Sequence, residues 1–176
     1  MKLTLQFILF LALVSTLAAA ESGTKWWKGN LHTHSHWSDG DDYPEQIAKW
    51  YKTHGYHFLT LTDHNTLQEG ERWIDVMKSK GGPPAFTKYL KDWGNDWVQT
   101  RTLEGRQEVR LRTFQEFRKK LETPGRFLLI QGEEVTDRWK TAPVHMNATN
   151  LRQLIKPQGG NSVYEVMQLS LIHISE

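Results

Sequence analysis

The chain has 176 residues, enough for one domain of ordinary size, and a formal net charge of +2 that leaves no electrostatic footprint of a nucleic-acid binder. It contains no cysteine. Disulfides and thiolate metal ligands are therefore excluded, and any metal site has to be built from histidine and carboxylate.

Met1-Lys2 opens an almost unbroken apolar run from Leu3 to Leu17, and Ala18-Ala19-Ala20 precedes the polar Glu21-Ser22-Gly23. That is the three-part pattern of a secretory signal peptide over residues 1–20, whose removal leaves Glu21 near the start of the mature chain. The run is short for a membrane-spanning helix of about 20 residues, and no later stretch is apolar enough to span. The expectation is an exported protein, periplasmic or extracellular, with no stable membrane anchor after cleavage.

Lys25 to Leu31 leads into a first strand predicted to end at His32-Thr33-His34-Ser35-His36. Alternation along a strand puts His32 and His34 on one face, where two imidazoles can bind one cation. Ser38-Asp39-Gly40 reads as a turn that returns the Asp39 carboxylate over the strand end. Asp42 as N-cap, with Pro44 in the first turn and Glu45 three residues on, opens a helix through Ile47, Ala48, Trp50 and Tyr51 that stops at Gly55. Residues 57–62 form a second strand running into Asp63-His64-Asn65, and strand, helix, strand is a βαβ unit with parallel strands.

Thr66 with Glu69 predicts another capped helix through Trp73, Ile74, Val76 and Met77, terminated at Gly81-Gly82-Pro83-Pro84. From Ala85 to Gln107 there is no clean periodicity, and Trp93 and Trp97 point to a partly ordered insertion. The basic stretch from Arg101 to Lys120 is interrupted by acids and reads as a solvated helix face. Thr113 with Glu116 caps a helix carrying Phe114, Phe117 and Leu121 on one face, and Pro124-Gly125 ends it. Residues 126–130 form a buried third strand that delivers Gly132-Glu133-Glu134-Val135. A short strand around Val144 to Asn147 follows, and Ser162 with Glu165 opens a last helix through Val163, Val166 and Met167.

Four chemically apt residues, His32, His34, His64 and Glu134, thus fall where predicted strands stop. The C-terminal ends of strands are where α/β folds build their sites. Asp39 reads either as a plain turn residue or as a ligand, and Glu133 competes with Glu134 if the register slips by one. Asp63 is expected to orient a ligand histidine rather than to bind metal. Asn147-Ala148-Thr149 matches a glycosylation sequon, read here as a chance occurrence.

These motifs, His32-Thr33-His34 through Ser38-Asp39-Gly40, Leu61-Thr62-Asp63-His64-Asn65, Gly132-Glu133-Glu134-Val135 and His145-Met146-Asn147, resemble in order those of the PHP family of polymerase and histidinol phosphatase-like phosphoesterases. The resemblance implies an α/β fold, a distorted (β/α)7 barrel of which residues 21–176 carry the N-terminal part. It implies two or three divalent ions, zinc, manganese or iron by the mixed nitrogen and oxygen donors. His32 and His34 would hold the first ion, Glu134 would bridge, His145 would hold the second, and Asp39 with His64 the third. No side chain is assigned a catalytic role beyond holding the ions, and the attacking group would be a metal-bound hydroxide. The family's late Asp-x-His motif has no counterpart, since His173 lacks the Asp two residues before it, so the expectation is a C-terminally truncated domain. The implied function is an exported metal-dependent phosphoesterase acting on a small phosphorylated molecule. A non-catalytic metal-binding module and a hydrolase of carbonyl or lactone substrates stand as alternatives.

Overall fold

The computed structural model describes residues 24–157, 159, 162–165 and 168. The expected signal peptide, His173, and Val166 and Met167 of the last expected helix lie outside the described residues; residues 163–165 are helical. The elements in order are β1 (Gly29–Asn30), α1 (Pro44–Thr53), β2 (Phe58–Leu61), β3 (Trp73–Asp75), α2 (Gly82–Trp93), β4 (Thr100–Leu103), β5 (Arg106–Arg110), α3 (Phe114–Leu121), β6 (Leu128–Trp139) and β7 (Ala142–Thr149).

The fold is mixed α/β. One sheet runs in the order β1-β2-β6-β7 and curls as an open half-barrel, and a second runs β3-β5-β4. β1 pairs parallel with β2 and β2 parallel with β6, so the expected βαβ unit is present, while β7 folds back antiparallel on β6. β1 is shorter than the sequence predicts. The Asn30 side chain accepts from the His32 amide at 3.0 Å and donates to Thr33 Oγ1 and the Tyr51 hydroxyl, which turns the chain out of the ladder.

α1 starts one residue later than expected, with Tyr43 rather than Asp42 at the N-cap and no side-chain cap, and Glu45 closes no capping box. It is fully buried and accepts from the Tyr89 hydroxyl and, at 2.6 Å, from Trp97 Nε1. Burial pushes its carboxyl up from the ordinary value, against those hydrogen bonds. The helix predicted after Thr66 is absent. Trp73 to Asp75 instead pairs antiparallel with β5, with Ile74 opposite Val109. Pro83 and Pro84, read from sequence as a stop, lie in the first turn of α2, where a missing N–H costs nothing. The capping box at Thr113 and Glu116 is present on α3.

Two apolar clusters fix the layers. Leu59, Leu61 and Leu129 of the half-barrel pack with Ala48 of α1 and with Phe114, Phe117 and Leu121 of α3. Tyr43, Val76, Tyr89, Val98, Val109 and Leu111 form the second, beneath α2 and the small sheet, and Trp93 and Trp97 touch both clusters. The basic stretch is largely paired: Arg101 with Glu108, Arg106 with Glu104, Arg110 and Arg112 with Glu116, and Arg118 with Glu122. Among the described residues no helix is long and apolar enough to cross a membrane.

Candidate metal centre

β6 sets the frame. Alternation along it puts Glu134 and Thr136 on one face and Glu133 and Val135 on the other. The antiparallel register of β7 then places His145 directly opposite Thr136, so Glu134, Thr136 and His145 share a face. On the other side of β6 the path of β2 continues past Leu61, and His64 forms an isolated parallel bridge with Glu134. Asn65, at φ 50°, pairs its amide with the Thr136 backbone, accepting from its N–H at 2.9 Å and donating to its carbonyl at 3.1 Å. It acts as one more strand residue and holds His64 against β6.

The remaining donors come from the loop after β1. Ser38 N and Gly40 N both donate to the Ser35 carbonyl in a tight turn, at 3.0 Å and 2.9 Å. A Cβ on Gly40 would stand 2.5 Å from the His34 carbonyl oxygen, so the turn closes only with glycine. Asp63 anchors this loop. Its buried carboxylate accepts from Ser35 N, Ser35 Oγ and Ser38 Oγ, each at 2.7 Å, and from Gln68 Nε2 at 3.0 Å. It touches no histidine, and the expected orienting role is corrected accordingly: Asp63 positions the His34–Asp39 loop rather than an imidazole.

Six side chains converge. His34 Nε2 lies 2.7 Å from Glu134 Oε2, and His34 Nδ1 lies 2.6 Å from Asp39 Oδ1. His64 stands 3.3 Å from Glu134 Oε2 and 3.6 Å from Asp39 Oδ1, and His145 Nδ1 is 3.3 Å from Glu134 Oε1. The rings of His32 and His34 are 4.9 Å apart, those of His34 and His64 4.4 Å. Donor atoms gather into three groups able to hold a metal ion: His32, His34 and Glu134; His34, Asp39 and His64; and His64, Glu134 and His145. The hydrogen bond from His34, with the charges of His64 and Lys80 adding, holds the Asp39 carboxyl below its ordinary range despite some desolvation.

The buried atoms test whether these residues suit a cation. His34 Nε2 and Glu134 Oε2 are both buried and make no hydrogen bond, although they lie 2.7 Å apart. A buried imidazole nitrogen and carboxylate oxygen turned toward one another are costly unless a proton or a metal cation sits between them. The donor set of imidazole nitrogen and carboxylate oxygen fits zinc, manganese or iron.

All six residues expected as ligands, His32, His34, Asp39, His64, Glu134 and His145, are therefore brought together. Glu133 points away. It is fully buried on the opposite face, accepts from the Ile155 N–H at 2.6 Å, and burial pushes its carboxyl up to about 7. The alternative register is thereby set aside. His36 is buried against Tyr43 with Nδ1 on the Gly40 carbonyl, and burial lowers its pKa. Sequence reading missed two hydroxyls. Thr62 Oγ1 lies 2.9 Å from His32 Nδ1, and Thr136 Oγ1 sits against His64 Nδ1 and 3.2 Å from His145 Nδ1. Thr62 fixes the His32 ring through Nδ1, whereas Thr136 sits beside the same Nδ1 atoms of His64 and His145 that face Glu134. Period-two spacing from His64 and Glu134 was the signal available for both.

No protein-family model matches the chain, and no curated protein matches it.

Proposed function

We propose that this protein is an exported metal-dependent hydrolase, a phosphoesterase for a small phosphorylated substrate, built on the N-terminal part of a PHP-type (β/α)7 barrel. One observation carries the reading: a single buried carboxylate, Glu134, turns Oε2 toward His34 and His64 and Oε1 toward His145. That is the arrangement by which one carboxylate serves two cations, which an imidazole cannot do. His32, His34, His64 and His145 would complete the two positions. Divalent ions held there lower the pKa of water and neutralise negative charge developing on a phosphoryl group.

The chain's own residues supply the rest. Thr62 holds the His32 ring through Nδ1, and Thr136 packs against Nδ1 of both His64 and His145 beside Glu134. Asp39 lies at the exposed mouth, where it steadies His34 through Nδ1. Glu134 is buried at the floor of the site, where its charge is weakly screened.

The test is elemental analysis of the purified chain together with hydrolysis of p-nitrophenyl phosphate and p-nitrophenyl acetate. Bound metal with phosphatase activity, both lost in His34→Ala, is the expected result. Bound metal without any hydrolysis would make the protein a metal-binding module, and preference for the acetate would move the chemistry to carbonyl carbon.

A further inference from the structure

Beside Asp39 the surface opens into a cleft of about 550 Å³ between the 38–40 turn and the segment 72–80. Its walls carry three cationic side chains, Arg72, Lys78 and Lys80, against two carboxylates, Asp39 and Asp75. The carboxylate of Asp75 is engaged locally, since it accepts from Met77 N at 2.8 Å. Arg72 is held too, donating to the Trp37 carbonyl at 2.6 Å. Lys80 is the cation that reaches Asp39 of the metal centre. Its ammonium donates to the Asp39 carbonyl at 2.7 Å and stands 3.9 Å from Asp39 Oδ2, while His34 and His64 occupy the Oδ1 side of the same carboxylate.

The turn that presents Lys80 is built to stay in place. The Asp75 carbonyl accepts from Lys78 N at 3.2 Å and Ser79 N at 2.9 Å, and Gly82 N closes on the Ser79 carbonyl at 3.0 Å. Gly81 packs so closely on the Asp41 backbone that a Cβ there would fall inside the carbonyl oxygen's contact radius. Lys88 with Asp42, 2.9 Å apart, pins the next turn of α2 to the same loop. The two loops are thus fastened together, with one lysine placed at the rim of the metal centre.

Resting on the hydrolase reading above, we propose that Lys80 recognises the doubly charged phosphoryl group, so that the substrate is a phosphomonoester rather than a phosphodiester. An ammonium has three donors. One is used on the Asp39 carbonyl, which leaves two for a ligand. A monoester dianion presents a third charged oxygen after two have met the metal positions, whereas a diester monoanion has none left to offer.

The experiment compares the full-length metal-loaded chain with Lys80→Met and Lys80→Arg. Three quantities are read: metal content, calorimetric binding of inorganic phosphate and of dimethyl phosphate, and hydrolysis of p-nitrophenyl phosphate and bis(p-nitrophenyl) phosphate. Lys80 is 65% exposed, so the expected loss is modest. Lys80→Met should weaken phosphate binding about five-fold, leave dimethyl phosphate unchanged, keep its metal, and lose the effect at high salt; Lys80→Arg should restore it. Equal weakening of both anions, loss of metal, or no binding of phosphate by the unsubstituted chain would each overturn the proposal. Phosphate binding that depends on Lys80 in a chain that hydrolyses nothing would sink the hydrolase reading and leave Lys80 as the group that recognises a phosphoryl dianion as ligand. Hydrolysis with phosphate binding indifferent to Lys80 would do the reverse.

Discussion

Replacing Asp63 by alanine separates positioning of a loop from positioning of a metal ligand. The carboxylate is fully buried and takes four hydrogen bonds, all from uncharged donors: Ser35 N, Ser35 Oγ, Ser38 Oγ and Gln68 Nε2. Ser38 is half-buried and can turn to water, and the Ser35 hydroxyl can rotate. The Ser35 N–H and the Gln68 amide cannot escape, because both residues are fully buried. Two stranded donors at roughly 1–3 kcal/mol each give a loss of about 4 kcal/mol, a large part of the stability of an ordinary domain. Asp63→Asn should lose only about 1 kcal/mol, because Gln68 Oε1 has no partner and the amide can flip to accept. The assay is urea unfolding in chelator, with no metal present. If Asp63→Ala proved as stable as the unsubstituted chain in chelator, and weaker only with metal added, the loop-anchoring account would be refuted.

The register on β6 predicts that Glu134→Gln loses bound metal, by elemental analysis, while Glu133→Gln keeps it; the reverse order would exchange the roles of the two faces. Thr136→Val should weaken metal binding about ten-fold in a competition titration, since its hydroxyl contacts both His64 and His145. Acid stability should carry the mark of Glu116. Burial opposes its ionisation, but hydrogen bonds from Arg110, the Thr113 backbone and Arg112 hold it at about 2 against an ordinary 4.5. The folded value is depressed, so its contribution is fully present above pH 4.5 and is lost as pH falls toward 2. Its side chain is 31% exposed, which reduces the contribution to about 2 kcal/mol. The stability gap between the unsubstituted chain and Glu116→Gln should be constant from pH 7 to 5 and shrink below that; a gap that persists at pH 2.5 would count against this account.

The donors were legible because each sits in a short segment whose local chemistry is self-contained: a His-x-His, an Asp-His after an apolar strand, a Glu after another apolar run, although Glu134 lies inside β6 rather than at its end. Parallel order of β1 and β2 followed from the strand, helix, strand rhythm, and β6 joins them parallel to β2. What failed was long-range. Trp73 to Asp75 has helix-compatible spacing, and nothing nearby reveals that Glu108 to Arg110 will pair with it. Pro83 and Pro84 carry the same letters whether they stop one helix or start the next. Glu45 sits at a capping-box position, yet Tyr89 and Trp97, far along the chain, claim its carboxylate. Asp63 is adjacent to His64 in sequence, but adjacent residues on extended backbone point opposite ways, and its partners came from the loop behind.

Filling all three donor groups completely would make His34 and His64 serve two ions each. His34 belongs to two groups and His64 to two, whereas Glu134, also in two, has a second oxygen to offer. A neutral imidazole has one free lone pair, its other nitrogen carrying a proton. His34 Nδ1 lies 2.6 Å from Asp39 Oδ1, the distance of a charge-assisted hydrogen bond, which leaves Nε2 for the buried side facing Glu134. His32 likewise spends Nδ1 on Thr62. The choice that fills two of the groups completely and uses each imidazole once takes His32, His34 and Glu134 for one ion and His64, Glu134 and His145 for the other, with Asp39 orienting His34 rather than holding a third. Calorimetric titration of the metal-free chain should therefore saturate at two ions. Asp39→Asn should leave that number unchanged and weaken one site about ten-fold, as loss of an orienting carboxylate does. Saturation at three ions, falling to two in Asp39→Asn, would return Asp39 to the ligand set and make His34 or His64 serve a different ion.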